Sequence, residues 1–436
     1  MSCGRVCDHR GARTRPLLSV NRDQIERTIE AVWHMESAKI IAKLARMLRS
    51  VGLAEEITQD AWVKALEDWV AHGIPDNPGA WLMTAAKNRA IDQIRRKKLM
   101  ERKSVIMADD TETSHAETED VEDDLLRLIF VACHPVLSME GRIALTLRLL
   151  GGLTPAEIAR AFLTTESTVQ QRIVRAKRTL SELHVSFEVP GAAERDQRLG
   201  SVLEVIYLIF NEGYAATSGD EWMRPALCEE ALRLGRILAE LTPAESEVHG
   251  LVSLMELQTS RTSARIGRSG ELIVLLKQNR SLWDQLLIRR GLAALARAQR
   301  LDDPLGPYFL QAAIAACHAQ ARTAEQTDWP QIVALYDALH ATQPSPVVAL
   351  NRAVAVSMAQ GPAEALEILD ALRSDSRLRD YHLLPSVRGD FLERLGRLDE
   401  ARAEFSRAAA LTNNAREQQF LRARVAACKK PAAPLN

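Results

Sequence analysis

NPGAWLMTAAKNRAIDQIRRKK, residues 77–98, is the stretch from which the rest of the chain becomes readable. Asn77 is a helix-capping residue type and Pro78 suits the first helical position, so a helix is expected to start here. At about 100° per residue, Leu82, Ala86, Ala90 and Ile94 fall on one narrow apolar stripe. Trp81, Asn88, Asp92, Arg95 and Arg96 fall on the opposite arc, with Arg89 at its margin, and Lys97, Lys98, Arg102 and Lys103 extend the positive charge. An aromatic ring, an amide and guanidinium groups on one face can stack on bases, bond base edges and neutralise phosphates. Holding an opened DNA strand needs that set of groups. The same pattern also suits an amphipathic helix with a solvated basic face, so the decision rests on the remaining sequence.

A chain of 436 residues, 47% hydrophobic and 26% charged, has room for two or three globular domains. Ala, Leu and Arg are prominent and only 5% of residues are aromatic, which favours helix over sheet. The net charge of −1 does not argue for nucleic acid, so local charge runs matter more than the sum. Cys3, Cys7, Cys133, Cys228, Cys317 and Cys428 lack paired zinc spacing and read as free thiols of a reducing, cytoplasmic compartment. No metal, cofactor or catalytic residue is expected: there is no nucleotide-binding loop and no nucleophile–base pair. No apolar run approaches the roughly 20 residues of a membrane span. Residues 1–20 are Arg-rich without an apolar signal core and read as a disordered arm or a misassigned start.

Ile40, Ile41, Leu44, Leu48 and Val51 recur at helical spacing, and Gly52 is expected to end that helix. A second helix is expected from near Ala54, with Ile57, Ala61, Ala65 and Trp69 on one stripe and Glu55, Glu56, Gln59 and Asp60 in its first turns. Residues 108–124 carry no Lys or Arg and read as an acidic, disordered linker. Two apolar helices broken around Pro135 follow. Then Thr154, Pro155 and Glu157 form a capping box opening a short helix. After a turn, ESTVQQRIVRAKRTL packs through Val169, Ile173, Ala176 and Leu180, and lines its other side with Thr168, Gln171, Arg172, Arg175 and Arg178. That is a helix-turn-helix with a basic recognition helix suited to a major groove.

From about Gln197 to Cys428 the chain again reads as helical. Ile332/Tyr336/Leu339, Ala365/Leu369/Leu372 and Ala401/Phe405/Ala408 are i, i+4, i+7 triplets whose starts lie 33 and 36 residues apart, with Gly361 and Gly396 ahead of the second and third. This period resembles the second helix of tetratricopeptide repeats, which stack into a groove-bearing solenoid. A plain helical bundle is the alternative.

W-L-x-x-x-A-x-N-x-A-I-D-x-x-R-R in the opening stretch resembles the promoter-melting helix of bacterial extracytoplasmic-function (ECF) sigma factors, a branch of the sigma-70 family. With the helix-turn-helix following, the order resembles sigma regions two and four without region three. LGSVLEVIYLIFNEGYAATSGD, DDLLRLIFVACHP and LTLRLLGGLT resemble a subgroup with a long helical extension, so the likeness covers nearly all of residues 23–428. Asn211–Tyr214 in that extension reads as a helix-ending turn that could touch region four.

The resemblance implies an all-α chain: a region 2 bundle over 21–103, the acidic linker over 104–124, region 4 over 125–184, a linker over 185–198, a tetratricopeptide-like domain over 199–428 and a tail over 429–436. It implies core RNA polymerase and promoter DNA as partners. Glu56, Gln59, Asp60 and Trp62 match the family's D-x-x-Q-[DE]-x-F, which grips the polymerase β′ clamp helices; Glu for Asp and Trp for Phe are departures. Trp81, Asn88, Arg89, Asp92, Arg95 and Arg96 would contact the minus-ten element. Asn88 and the loop VAHGIPDNPGA would pocket a flipped base, a step costing a few kcal/mol. Thr168, Gln171, Arg172, Arg175 and Arg178 would read the minus-thirty-five element, with the β flap of the polymerase as partner of this region. Thr165 stands where the family often has Pro.

The linker would thread toward the polymerase active site and RNA exit path. The extension would regulate the sigma unit in cis across a short tether, with a protein or intramolecular ligand in its groove. The competing reading is a helix-turn-helix regulator with a solenoid sensor that acts on operators without replacing sigma.

Overall fold

The computed structural model describes residues 22–104, 121–162, 164–215, 222–267, 271–301 and 303–428. The expected arm over 1–20, nearly all of the acidic linker and the tail over 429–436 lie outside them. The chain divides into two units, residues 1–114 and 115–436.

The first unit is a three-helix bundle of α1 (Arg22–Leu48), α2 (Val51–His72) and α3 (Pro78–Ser104). The predicted stripes form its core: Ile57, Ala61, Ala65 and Trp69 of α2 and Leu82, Ala86 and Ala90 of α3 are buried against Ile40, Ile41 and Leu44 of α1. Repeated alanine lets the helices approach closely. Two edge-to-face tryptophan pairs add geometric specificity: Trp33–Trp62 with centroids 4.6 Å apart, and Trp69–Trp81 at 5.7 Å. Asn77 caps α3 as expected, its Oδ1 accepting from Ala80 N at 3.0 Å. The end of α1 differs from expectation. Arg49 takes a left-handed backbone (φ 52°), and Ser50 caps α2 by accepting from Leu53 N at 3.3 Å. Gly52 therefore lies inside the first turn of α2, where backbone N–H groups have no intrahelical partner and a good cap decides the start.

The second unit begins with α4 (Val121–Ala132), α5 (Met139–Leu149), α6 (Pro155–Ala161) and α7 (Glu166–Glu182). The capping box is formed: Glu157 N donates to Thr154 Oγ1 at 3.2 Å, and Thr154 N donates to Glu157 Oε2 at 2.7 Å. Thr165 caps α7, accepting from Thr168 N at 3.2 Å. Val169, Ile173, Ala176 and Leu180 are buried where α7 packs on α5 and α6, completing the helix-turn-helix.

Then come α8 (Ala192–Tyr214), α9 (Pro225–Leu241), α10 (Ser246–Thr259), α11 (Thr262–Arg265) and α12 (Gln285–Arg300). Every residue of α10 from Val248 to Leu257 is buried, as a helix packed by α9, α12 and α13 (Pro307–Gln320) must be. Between α11 and α12 the expected helix is absent. An Ile266–Leu272 bridge and two 3-10 turns replace it, pinned by buried Trp283 and by Arg280, which donates to Ala321 O at 2.7 Å. Asn211–Tyr214 is the last turn of α8 and not a turn outside it. Gly213 lies so close to α9 that a Cβ would sit 2.6 Å from Cys228 N, and Tyr214 OH accepts from Arg261 at 2.7 Å, so this segment's contacts are with the extension itself.

From α13 onward each helix packs on the next: α14 (Trp329–Thr342), α15 (Pro346–Ala359), α16 (Pro362–Leu372), α17 (Leu383–Arg394), α18 (Leu398–Leu411) and α19 (Ala415–Ala427). Ile332, Leu339, Ala365, Leu369, Ala401, Phe405 and Ala408 of the predicted triplets are buried in the stack, while Tyr336 and Leu372 pack at its margin. Gly361 (φ 128°) and Gly396 (φ 75°) make the turns before α16 and α18 with backbone that L side chains avoid. The fold is all-α, ending in a tetratricopeptide-like solenoid.

The second half of α4, from Leu128 to Ala132, is apolar all round because the extension covers it. Leu128, Ile129, Phe130, Val131 and Ala132 are buried against α5, α8 and α9, and the void between Ile129, Leu150, Val202, Ile206 and Leu234 is only about 10 Å³. The extension also satisfies the orphan carbonyls where α4 and α5 end. Arg198 donates to Phe130 O at 3.0 Å, Ser201 to Cys133 O at 2.6 Å and Arg233 to Leu150 O at 2.5 Å, while Arg142 of α5 donates to Ser201 Oγ at 2.7 Å. Burial pushes the Cys133 thiol up to about 11, so Cys133 is a core residue there. α8 begins at Ala192, within the span expected as linker, and its Arg195 already pairs with Glu245 at 3.1 Å.

Candidate nucleic-acid interface

On α3 the buried stripe turns the other arc outward. Asn88, Arg89, Asp92, Arg95 and Arg96 are exposed, and Arg95 is only loosely held by Asp92 at 4.0 Å. Trp81 is half-buried and packs edge to face with Trp69. The side chains of Lys97, Lys98, Arg102 and Lys103 lie outside the described ones. Arg89 reaches across to α2 and pairs with Asp60 at 2.7 Å. Both groups are about half exposed, so the pair contributes little to stability and is free to exchange partners.

On α2, Glu56 is exposed, Asp60 is half-exposed, and the Gln59 amide donates to Glu55 Oε1 at 2.8 Å. Trp62 departs from expectation. Only 7% exposed, it packs edge to face on Trp33 and belongs to the bundle, so it does not supply the aromatic of an outward face. The physical reason is its angle: Trp62 lies about 20° around the helix from buried Trp69. The apolar groups that do face out beside Glu56 and Asp60 are Val63 (56% exposed), Leu66 and Val70 (53%). Sequence reasoning missed them, although their i, i+3, i+7 spacing off the buried stripe was legible.

On α7, Gln171, Arg175 and Arg178 are exposed and Arg172 is half-buried. Arg178 Nε donates to Glu182 Oε1 at 2.6 Å, which fixes the guanidinium, raises its pKa and leaves two nitrogens outward. Thr168 is drawn into the helix cap, its hydroxyl 2.7 Å from Thr165 Oγ1, so its side chain is already hydrogen-bonded without a base edge. Val174 stands exposed among these polar groups and was not anticipated.

Among the described residues no cluster of three or more His, Cys, Asp or Glu could hold a metal ion, and no helix is long and apolar enough to cross a membrane.

Comparison with known proteins follows the same division. Residues 34–99 match sigma-70 region 2, residues 127–180 match sigma-70 region 4, and residues 198–299 match a family of unknown function (DUF6596). An uncharacterized protein of Rhizobium meliloti (strain 1021) is 45% identical over 386 residues, 87% of this chain and 90% of that one. The ECF RNA polymerase sigma factor SigK of Mycobacterium ulcerans (strain Agy99) is 32% identical over 149 residues, 33% of this chain and 78% of its own. A SigK of Mycolicibacterium vanbaalenii is 26% identical over 178 residues, 37% of this chain and 89% of its own. The solved structure of yeast Tom70 aligns over 93% of this chain and 84% of that one, but a TM-score of 0.31 with 12% identity is too low to argue from. Region 2 and region 4 stand in sigma order on helices that turn basic faces outward, and SigK is matched across most of its length; the chain therefore belongs to the ECF branch of the sigma-70 family of RNA polymerase sigma factors.

Proposed function

We propose that this sigma factor binds core RNA polymerase through Glu56, Gln59 and Asp60 with Val63, Leu66 and Val70 of α2. Trp81, Asn88, Arg89, Asp92, Arg95 and Arg96 of α3 then hold the opened minus-ten strand. Gln171, Arg172, Arg175 and Arg178 of α7 read the minus-thirty-five element. One observation carries this reading: the three faces are left out of the packing although the opposite sides of the same helices are buried. Acidic and apolar groups on α2 suit a protein partner, while amide and guanidinium groups on α3 and α7 suit bases and phosphates.

The C-terminal half acts in cis and is required. Its continuous apolar seam with α4 and α5 supports this, and the exposure of the α7 reading face favours a positive role over occlusion.

Transcription in vitro with core polymerase tests the assignment. Glu56→Lys with Asp60→Lys should abolish co-purification with core polymerase at unchanged helical content. Asn88→Ala should retain duplex binding and lose permanganate reactivity at the opened bases. Tight, specific duplex binding by the chain alone, with no effect of core polymerase, would instead support an operator-binding regulator.

A further inference from the structure

The reading face of α7 carries one residue that neither charge nor packing explains. Val174 is 63% exposed, more than any other large apolar side chain among the described residues. It sits about 130° around the helix from the centre of the buried Val169–Ile173–Ala176–Leu180 stripe. Arg178 and Gln171 lie about 40° and 60° to one side of it, Gln170 and Lys177 about 40° and 60° to the other, with Arg175 next in the chain. A β-branched side chain at an exposed mid-helix position loses rotamer freedom and is a poorer helix former than Ala, Gln or Lys. Here it recovers nothing by burial. It stands among glutamines, arginines and a lysine, side chains whose partners in a major groove are base edges and phosphates. The one apolar group that major-groove base edges present is the C5-methyl of thymine.

We propose that Val174 reads a thymine methyl in the upstream promoter element, in van der Waals contact, while Gln171 and the flanking arginines bond neighbouring base edges and phosphates. The inference rests on α7 being the promoter-reading helix and adds an A·T-selecting contact to it. Thymine differs from deoxyuridine only in that methyl, so the contact can be removed from the DNA side without altering pairing or any hydrogen-bonding atom.

The upstream element is first selected from a random duplex library by the full chain with core polymerase. Each thymine of the selected site is then replaced singly by deoxyuridine. Wild-type complex formation should fall about fourfold at one thymine, the worth of one buried methyl. Val174→Ala should bind the thymine site about as weakly as wild type binds the deoxyuridine site, and should no longer distinguish the two. Arg175→Ala should weaken both sites and keep the distinction. Alanine is the better helix former at this exposed position, so lost folding would not mimic the result; circular dichroism checks it. If a sequence preference is selected but wild type is indifferent to deoxyuridine at every thymine, or Val174→Ala keeps the distinction, the inference is overturned while the role of α7 stands. If no upstream preference is selected at all, the role of α7 fails and the inference with it.

Discussion

Asp60 and Arg89 were assigned by motif to different partners, polymerase and DNA, yet they bond each other at 2.7 Å. An exposed pair of this kind is worth well under about 1 kcal/mol, so each group can be taken up by its own partner without cost to the bundle. Trp62 is the opposite case. It matches the family motif, but its angle on α2 places it on the buried edge beside Trp69, and the structure packs it on Trp33. The stripe of Ile57, Ala61, Ala65 and Trp69 already contained that answer. Motif matching alone could not show which side of the helix the aromatic took. Trp62→Ala is therefore expected to destabilise the bundle by about 3–5 kcal/mol, seen as lost hydrogen-exchange protection across α1–α3. Val63→Ser with Val70→Ser should leave that protection intact and weaken binding to core polymerase roughly tenfold in a titration. The reverse pattern would return the partner contact to Trp62.

Helix boundaries were less legible than helix faces. Most residues of the apolar stripes named from spacing are buried, with Leu48, Val51, Ile94, Tyr336 and Leu372 at the margins, because a 3.6-residue period has one solution once a core exists. The end of α1 depended instead on whether Ser50 or Gly52 would govern, a choice of about 1 kcal/mol that pattern cannot settle. Arg49 now holds a left-handed conformation that glycine adopts freely, so Arg49→Gly should raise the stability of the bundle by up to about 1 kcal/mol, read as a shift in its melting transition. Ser50→Ala should lower it by a similar amount.

The contact of α13 with α14 gives an acid-sensitive element. His318 is buried edge to face on Trp329, and burial together with the charges of Arg261 and Arg280 holds its pKa down to about 4. The unfolded imidazole takes its proton near 6.5 and the folded one only near 4, so falling pH favours the unfolded chain across that interval. Up to roughly 3 kcal/mol contributed by the neutral ring above pH 6.5 is lost on acidification. His318→Gln should flatten this part of the pH–stability profile in denaturant titrations. An unchanged slope would mean another group titrates.

At the scale of the whole chain, the sequence announced region four and the extension as neighbours joined by a tether. Their shared core was hidden in the composition of α4. The stretch Leu128–Ala132, apolar on every side, needs cover on every side, and α5 alone supplies only part of it. The rest comes from Val202 and Ile206 of α8 with Leu234 of α9. Arg198, Ser201 and Arg233 bond the carbonyls at the ends of α4 and α5. Such pairing across about 70 residues of sequence leaves no local periodicity to read.

It also changes what deletion can test. Cutting after Gly191 would expose the α4 face and orphan those carbonyls, so loss of activity would report damage to region four. Two lesions of different reach separate structural completion from a distinct regulatory role. Ile206→Asp buries a charge in the seam and should loosen α4 and α5, lowering their hydrogen-exchange protection and upstream recognition together. Deleting α17–α19 removes the far end of a stack in which each helix contacts its neighbours, and damage there should not travel to α4. If that deletion transcribes normally from the same promoters, completing region four accounts for the cis requirement. If it silences transcription with α4 and α5 protection unchanged, the solenoid carries a separate activating function. Full activity of Ile206→Asp with a demonstrably opened seam would remove the cis requirement altogether.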